Sequence, residues 1–218
     1  MTMLSLMMKD IYLLRKTIVL CMLYLVILII SLSGMEDAGA VFAVCIFALV
    51  HMFMMTSCYQ DERNKSDIIL NSMPLKRSVI VGSKYLMLFM YVVIASAFYL
   101  VASWILGQLN LLGKTSGLSV GGLILTLLVC SVSAGIYLPL YFKVGYMKSR
   151  LLSLIVFFAF FFILGFLVPG AEMGGTDSGS IDWPVSAPAE RITALLLSLA
   201  VLAVSYLISL RIYRNKEF

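Results

Sequence analysis

The sequence predicts an all-α integral membrane protein with six transmembrane helices, an N-terminal interfacial helix, and both termini in the cytoplasm. Three observations carry that prediction. The 218-residue chain is 62% hydrophobic and only 12% charged, which excludes an ordinary soluble domain. Its apolar residues fall into six continuous runs, 17–33, 39–59, 84–106, 119–140, 151–168 and 192–210. Each run is near the ~20 residues that cross a hydrocarbon core, whereas a membrane barrel would show alternating segments of about ten. The basic residues are also one-sided. Lys9, Arg15, Lys16, Arg63, Lys65, Lys76, Arg77, Lys84, Lys143, Lys148, Arg150, Arg211, Arg214 and Lys216 flank the runs on one side, and only Lys114 and Arg191 lie on the other. Short loops rich in Lys and Arg stay cytoplasmic during insertion, so that side is the cytoplasm.

Residues 3–14 have helical spacing ahead of the first span. Leu4, Met7, Met8, Ile11 and Leu14 form one stripe, with Ser5, Lys9 and Lys16 opposite. This is the pattern of an amphipathic helix in the cytoplasmic interface, or of a ragged extension of the span. The charges in residues 1–16 and the lack of a small-residue cleavage pattern argue against a signal peptide. The first and second spans are joined by a tiny loop and form a tight antiparallel hairpin.

The longest cytoplasmic segment is 60–83. It opens on Asp61-Glu62-Arg63-Asn64-Lys65-Ser66-Asp67, continues through Ile68, Ile69 and Leu70, and breaks at Pro74. Proline disfavours helical geometry in the residue before it, so a short helix ends at Met73. A second helix starts at Lys76-Arg77 and runs through Val79, Ile80 and Val81 into the third span. The loop 141–150 is a smaller basic cytoplasmic connection. Outside, 107–118 and 169–190 are the larger loops, the latter rich in Gly, Pro, Ser and Asp. Trp104 and Trp183 lie near outer span ends, as interfacial anchors do.

Motifs of chemistry are scarce. Gly113-Lys114-Thr115 resembles the tail of a phosphate loop, but Gly107 precedes Gly113 by six positions instead of five and no strand precedes it. There is one histidine, no H-E-x-x-H, and no acidic pair inside a run, so no catalytic set emerges. Charges stop at Lys84, Lys143, Arg191 and Arg211, near span ends where long side chains snorkel. His51, Met55 and Cys58 share a helical face and offer soft ligands for a metal such as Cu(I). The plainer reading is a hydrogen-bonded histidine among methionine gap-fillers, and no metal site is assigned. Cys21, Cys45, Cys58 and Cys130 read as buried small apolar residues. The net charge of +5 sits at span ends, which points to lipid headgroups and not to nucleic acid. Small residues pair at Ser131 and Gly135 on the fourth span, and Ser198, Ser205 and Ser209 on the sixth, most simply packing within one subunit.

The segment from Asp61 to Arg77, with Ser72-Met73-Pro74 at its corner and Ser83-Lys84-Tyr85 opening the third span, resembles the signature of small type-2 ABC exporter permeases. Lys76 departs from the small polar cap expected there. The resemblance implies that residues 1–218 form one transmembrane permease domain in a bacterial plasma membrane. Such a subunit pairs with a second permease, identical or homologous, through spans one and five, and with two copies of an ABC ATPase subunit. ATP and Mg would then be bound by the ATPase and no cofactor by this chain, which would not itself be an enzyme. Segment 60–83 becomes the coupling helix, with Asp61, Glu62, Arg63, Lys65, Asp67, Ile68, Leu70, Pro74, Lys76 and Arg77 as the candidate ATPase contact. Cargoes in the family include lipids, drugs, and antimicrobial or cytolytic peptides, and the apolar interior here suits a hydrophobic or amphipathic one. Two rivals stand beside this reading: a stand-alone membrane immunity or sensor protein, and a soft-metal transporter built on His51.

Overall fold

The computed structural model describes residues 3–14, 17–32, 38–66, 77–109, 120–167 and 188–215. Among them are seven helices and no strand: α1 (Met3–Leu14), α2 (Ile18–Ser31), α3 (Ala38–Arg63), α4 (Arg77–Gln108), α5 (Val120–Val144), α6 (Tyr146–Leu167) and α7 (Pro188–Arg214). Helices are what apolar sequence must form in lipid, because every backbone polar group finds its partner within the segment. Five of them, α3 to α7, are long and apolar enough to cross a membrane. The sequence places a sixth crossing at 17–33, yet α2 holds only 14 residues, about 21 Å of helix against a core of about 30 Å. The described residues therefore contain five full-length candidate spans and one shorter apolar helix.

The helices also outrun the apolar runs. α3 continues to Arg63, α4 begins at Arg77, α6 at Tyr146, and α7 ends at Arg214. The polar ends prolong the spans as helix, so Arg63, Arg77, Lys148, Arg150 and Arg214 sit on rigid extensions. Within α5, Pro139 removes one backbone donor near the end of the helix.

α3 is the centre of the bundle: 83% of its apolar window is buried, against 17% for α6. α2, α4, α5 and α6 all pack on it, while α7 packs on α5 and α4. The α5–α7 pair packs most extensively. The small residues Gly135 and Ser205 meet there, and Ser205 donates a hydrogen bond of 2.8 Å to the Gly135 carbonyl. The Tyr85 hydroxyl on α4 sits 2.6 Å from the Ser205 oxygen and 2.8 Å from that of Ser209. The serine stripe thus packs inside one chain, as its spacing suggested. All four cysteines are buried and free. Trp104 is 68% exposed at the far part of α4, where an interfacial anchor belongs; Trp183 lies outside the described residues.

At the end opposite the basic residues, α3 and α5 touch backbone to backbone. A methyl added at Gly122 would stand 2.8 Å from the Gly39 carbonyl oxygen, closer than any real contact of that kind. Gly107, by contrast, has nothing within 4 Å of its added methyl. Gly122→Ala is expected to destabilise by about 1–3 kcal/mol through overpacking, whereas Gly107→Ala is neutral or slightly stabilising. Thermal unfolding of the two variants in detergent checks this. Equal midpoints would show that α3 and α5 are not held this closely.

Candidate functional site

One end of the bundle gathers the residues that the sequence marks as cytoplasmic. Its centre is the ammonium group of Lys84 on α4. Lys84 donates hydrogen bonds of 2.8 Å to Asp10 Oδ2 on α1 and 2.8 Å to Ser57 Oγ on α3, and forms an ion pair with Asp61 Oδ2 on α3. Lys9 completes the set, 2.6 Å from Asp61 Oδ1 and 3.6 Å from Asp10 Oδ1. The side chains of Asp10 and Asp61 are 3% and 4% exposed and that of Lys84 11%. Two ammonium groups face two carboxylates, so the network is neutral as a whole. Isolated charges at this depth would be costly; paired and hydrogen-bonded, they lock three helices in one arrangement.

Lys84 therefore does not snorkel from a span end, as the sequence suggested, but turns inward. Asp61, expected as part of an exposed docking run, turns inward with it. The two carboxylates that the sequence keeps 51 positions apart (61 less 10) meet at one ammonium.

Two further ties bind the same end together. The Glu62 carboxylate accepts a hydrogen bond from the backbone N–H of Tyr146, the first residue of α6. An anion there satisfies an orphan donor and opposes the positive end of the helix dipole. Arg77, the first residue of α4, donates to the backbone carbonyls of Arg214 and Tyr213 at 2.7 Å and 3.2 Å, closing the last turn of α7. Glu62 and Arg77, on either side of segment 67–76, are thus both fastened to other helices.

The remaining candidate residues separate cleanly. Arg63, Asn64 and Lys65 are exposed. Lys65 has φ of 50°, a left-handed conformation that ends α3, and helical geometry resumes at Ser66. Asp61, Glu62 and Arg63 consequently belong to α3 and do not begin a separate helix. Asp67, Ile68, Leu70, Pro74 and Lys76 lie outside the described residues. On α1, Met7 is buried and Ile11 packs on the core, but Met8 is 67% exposed. The inner face is Met7, Asp10 and Ile11, so it is rotated from the stripe read in the sequence. The side chains of Leu4 and Leu14 are outside the described set. His51 is buried, with Nε2 3.2 Å from Ser153 Oγ on α6 and its ring 4.8 Å from that of Phe157. It joins α3 to α6.

The inward charges have a signal in the sequence. Asp10 follows Met7 by three positions. Asp61 follows Met54 and Cys58 by seven and three. Lys84 lies between Ile80 and Leu88, four from each. Each charge falls on its helix's apolar stripe, where exposure would not put it. Glu62 and Arg77 carried no such mark, because capping across helices depends on tertiary neighbours.

Compared with known proteins, residues 5–214 match the family described as ABC-2 family transporter protein, a stretch that takes in every described helix but for the first two residues of α1. No curated protein and no solved structure matches the chain.

Removing Lys84 leaves two buried carboxylates facing one another. Lys84→Ala is expected to cost about 3–5 kcal/mol. Lys9→Ala, at a side chain 33% exposed, should cost about 1 kcal/mol or less. Adding Asp10→Asn to Lys84→Ala should recover part of the loss. Thermal unfolding in micelles measures all three, and equal effects for the two lysines would put Lys84 in water.

Proposed function

The chain belongs to the ABC-2 family of transporter proteins, and on that premise we propose that it is the permease subunit of an ATP-driven exporter. It is a multi-pass membrane protein with both termini in the cytoplasm, counting α2 as the sixth crossing. Members of the family typically work with an ATPase subunit. Segment 60–83 is the coupling element, in which the exposed Arg63 and Lys65, with Asp67, Ile68, Leu70, Pro74 and Lys76, meet a groove of that ATPase. ATP and Mg belong to the partner.

The observation that carries this reading is the family match along residues 5–214. The anchoring of the helix ends that flank segment 67–76 supports it: with Glu62 held to α6 and Arg77 to α7, a push delivered between them passes to spans. The buried charges do not favour ion coupling. Secondary transporters keep polar groups near the midplane with capacity for a coupling ion, and here the two carboxylates are already neutralised by two lysines. His51 is engaged with Ser153 among phenylalanines, which supports a packing role over a metal path. The cargo is hydrophobic or amphipathic, a peptide, drug or lipid, consistent with the apolar faces that α2 and α6 leave exposed, at Leu23 and Ile27 and at Phe158 and Phe162. Those faces are where a second permease pairs.

Co-expression with candidate ATPase subunits and affinity capture tests the partnership. In proteoliposomes, transport should require the ATPase and ATP, and should survive collapse of the proton and sodium gradients. His51→Gln should retain most of the activity. Movement of substrate by this chain alone on an imposed pH or sodium gradient would overturn the reading.

A further inference from the structure

We infer that Glu62 is a positioning residue for α6: through its bond to the Tyr146 N–H it fixes the angle at which α6 leaves α5, with Gly145 as the pivot. The inference deepens the permease reading and rests on it for its functional half, but the geometry stands apart from it.

Gly145 is the single residue between α5, which ends at Val144, and α6, which begins at Tyr146. Its φ is 83°, in the left-handed region that a side chain disfavours. Both helices use it. The Gly145 N–H donates to the Tyr141 carbonyl at 2.9 Å, and its carbonyl accepts from the Ser149 N–H at 3.2 Å. No slack separates the two helices, so any change in the angle between them must occur at this residue. A methyl built at Gly145 would lie 3.5 Å from Glu62 Oε2, which places the carboxylate directly against the pivot.

Packing alone holds α6 weakly. It rests mainly on α3 and α5, and Leu151, Ile155, Phe158, Phe162 and Ile163 stand more than half exposed along it. Its root is better fixed: Glu62 caps its first turn, and the Tyr59 ring lies 5.5 Å from that of Tyr146. Glu62 is also the neighbour of Asp61, which Lys9 and Lys84 hold. Displacement of the last turn of α3 therefore reaches α6 at its root. α6 has 22 residues, about 33 Å, so a rotation of about 10° at Gly145 carries its far end roughly 6 Å. A movement at the cytoplasmic loop becomes an opening at the outer end.

This assigns Glu62 a role different from direct docking. A docking residue works through its negative charge. A positioning residue works through its acceptor oxygen, which glutamine also has.

The test uses the full chain in nanodiscs, with spin labels on Gln108→Cys at the outer end of α4 and Ile163→Cys near the far end of α6, both exposed; the four native cysteines are buried. The unmodified chain should give one narrow distance distribution. Glu62→Ala and Gly145→Ala should broaden or shift it, and Glu62→Gln should restore it. With the ATPase added, transport per ATP hydrolysed should fall about tenfold in Glu62→Ala, the scale of a lost hydrogen bond, and largely recover in Glu62→Gln. An unchanged distribution in Glu62→Ala overturns the inference. So does a Glu62→Gln variant as defective in coupling as Glu62→Ala, because charge and not the acceptor would then matter. Failure of the unmodified chain to bind any ATPase overturns the permease reading instead, and the distance measurement then decides the placement of α6 without it.

Discussion

The arrangement of the basic end depends on one ammonium group. Lys84 reaches Asp10 on α1 and Asp61 and Ser57 on α3 from its own place on α4, so three helices share one set of hydrogen bonds. Lipid offers no hydrophobic force to hold helix to helix, and interhelical polar contacts and close packing must supply the specificity. Here the two are divided between the ends of the bundle. At the opposite end, Gly39 and Gly122 bring α3 and α5 together by lacking side chains. At the basic end, charges do it.

That division produces a rigid centre and a movable edge. α3, α5 and α7 interlock through small residues and serine hydroxyls, and α4 is tied to α7 by Tyr85 and, at its first residue, by Arg77. α6 stands apart, gripped at its root by Glu62 and along its length by an aromatic strip that includes the Phe47–Phe157 stack at 5.6 Å. Rings slide over one another more readily than interlocked glycine and serine ridges. The geometry suits a helix that tilts while its root is held.

Much of the fold was legible in the sequence because lipid imposes a single rule: a continuous apolar run of span length becomes a helix. The described residues of the runs beginning at 39, 84, 119, 151 and 192 each lie within a helix. Hydropathy does not mark their ends, because it stops where the charges begin, while helical hydrogen bonding continues through Asp61, Glu62 and Arg63. The site was less legible. Lys84 looked like a snorkelling flank because a lysine at a span end ordinarily has water within reach; only the arrival of Asp10 and Asp61 makes the inward path favourable. α1 was read by its apolar spacing alone, which placed Met8 inside and Asp10 nowhere, although Asp10 lies between Met7 and Ile11 on the face that is buried. The bonds of Glu62 and Arg77 to backbone atoms 84 and 137 residues away have no local signature.

The charge network also sets an order of events during synthesis. A chain emerges from its N-terminus and folds as it lengthens. Asp61 can pair with Lys9 as soon as α3 is made, but Asp10 has its hydrogen-bond donor in Lys84, 74 positions further on. Until α4 enters the membrane, the inner face of α1 presents a carboxylate without that partner. Water and lipid headgroups can solvate Asp10 at the surface meanwhile, and its partner comes only when α4 arrives. α1 is made before α2, α3 and α4, yet its inner face is complete only with the last of these.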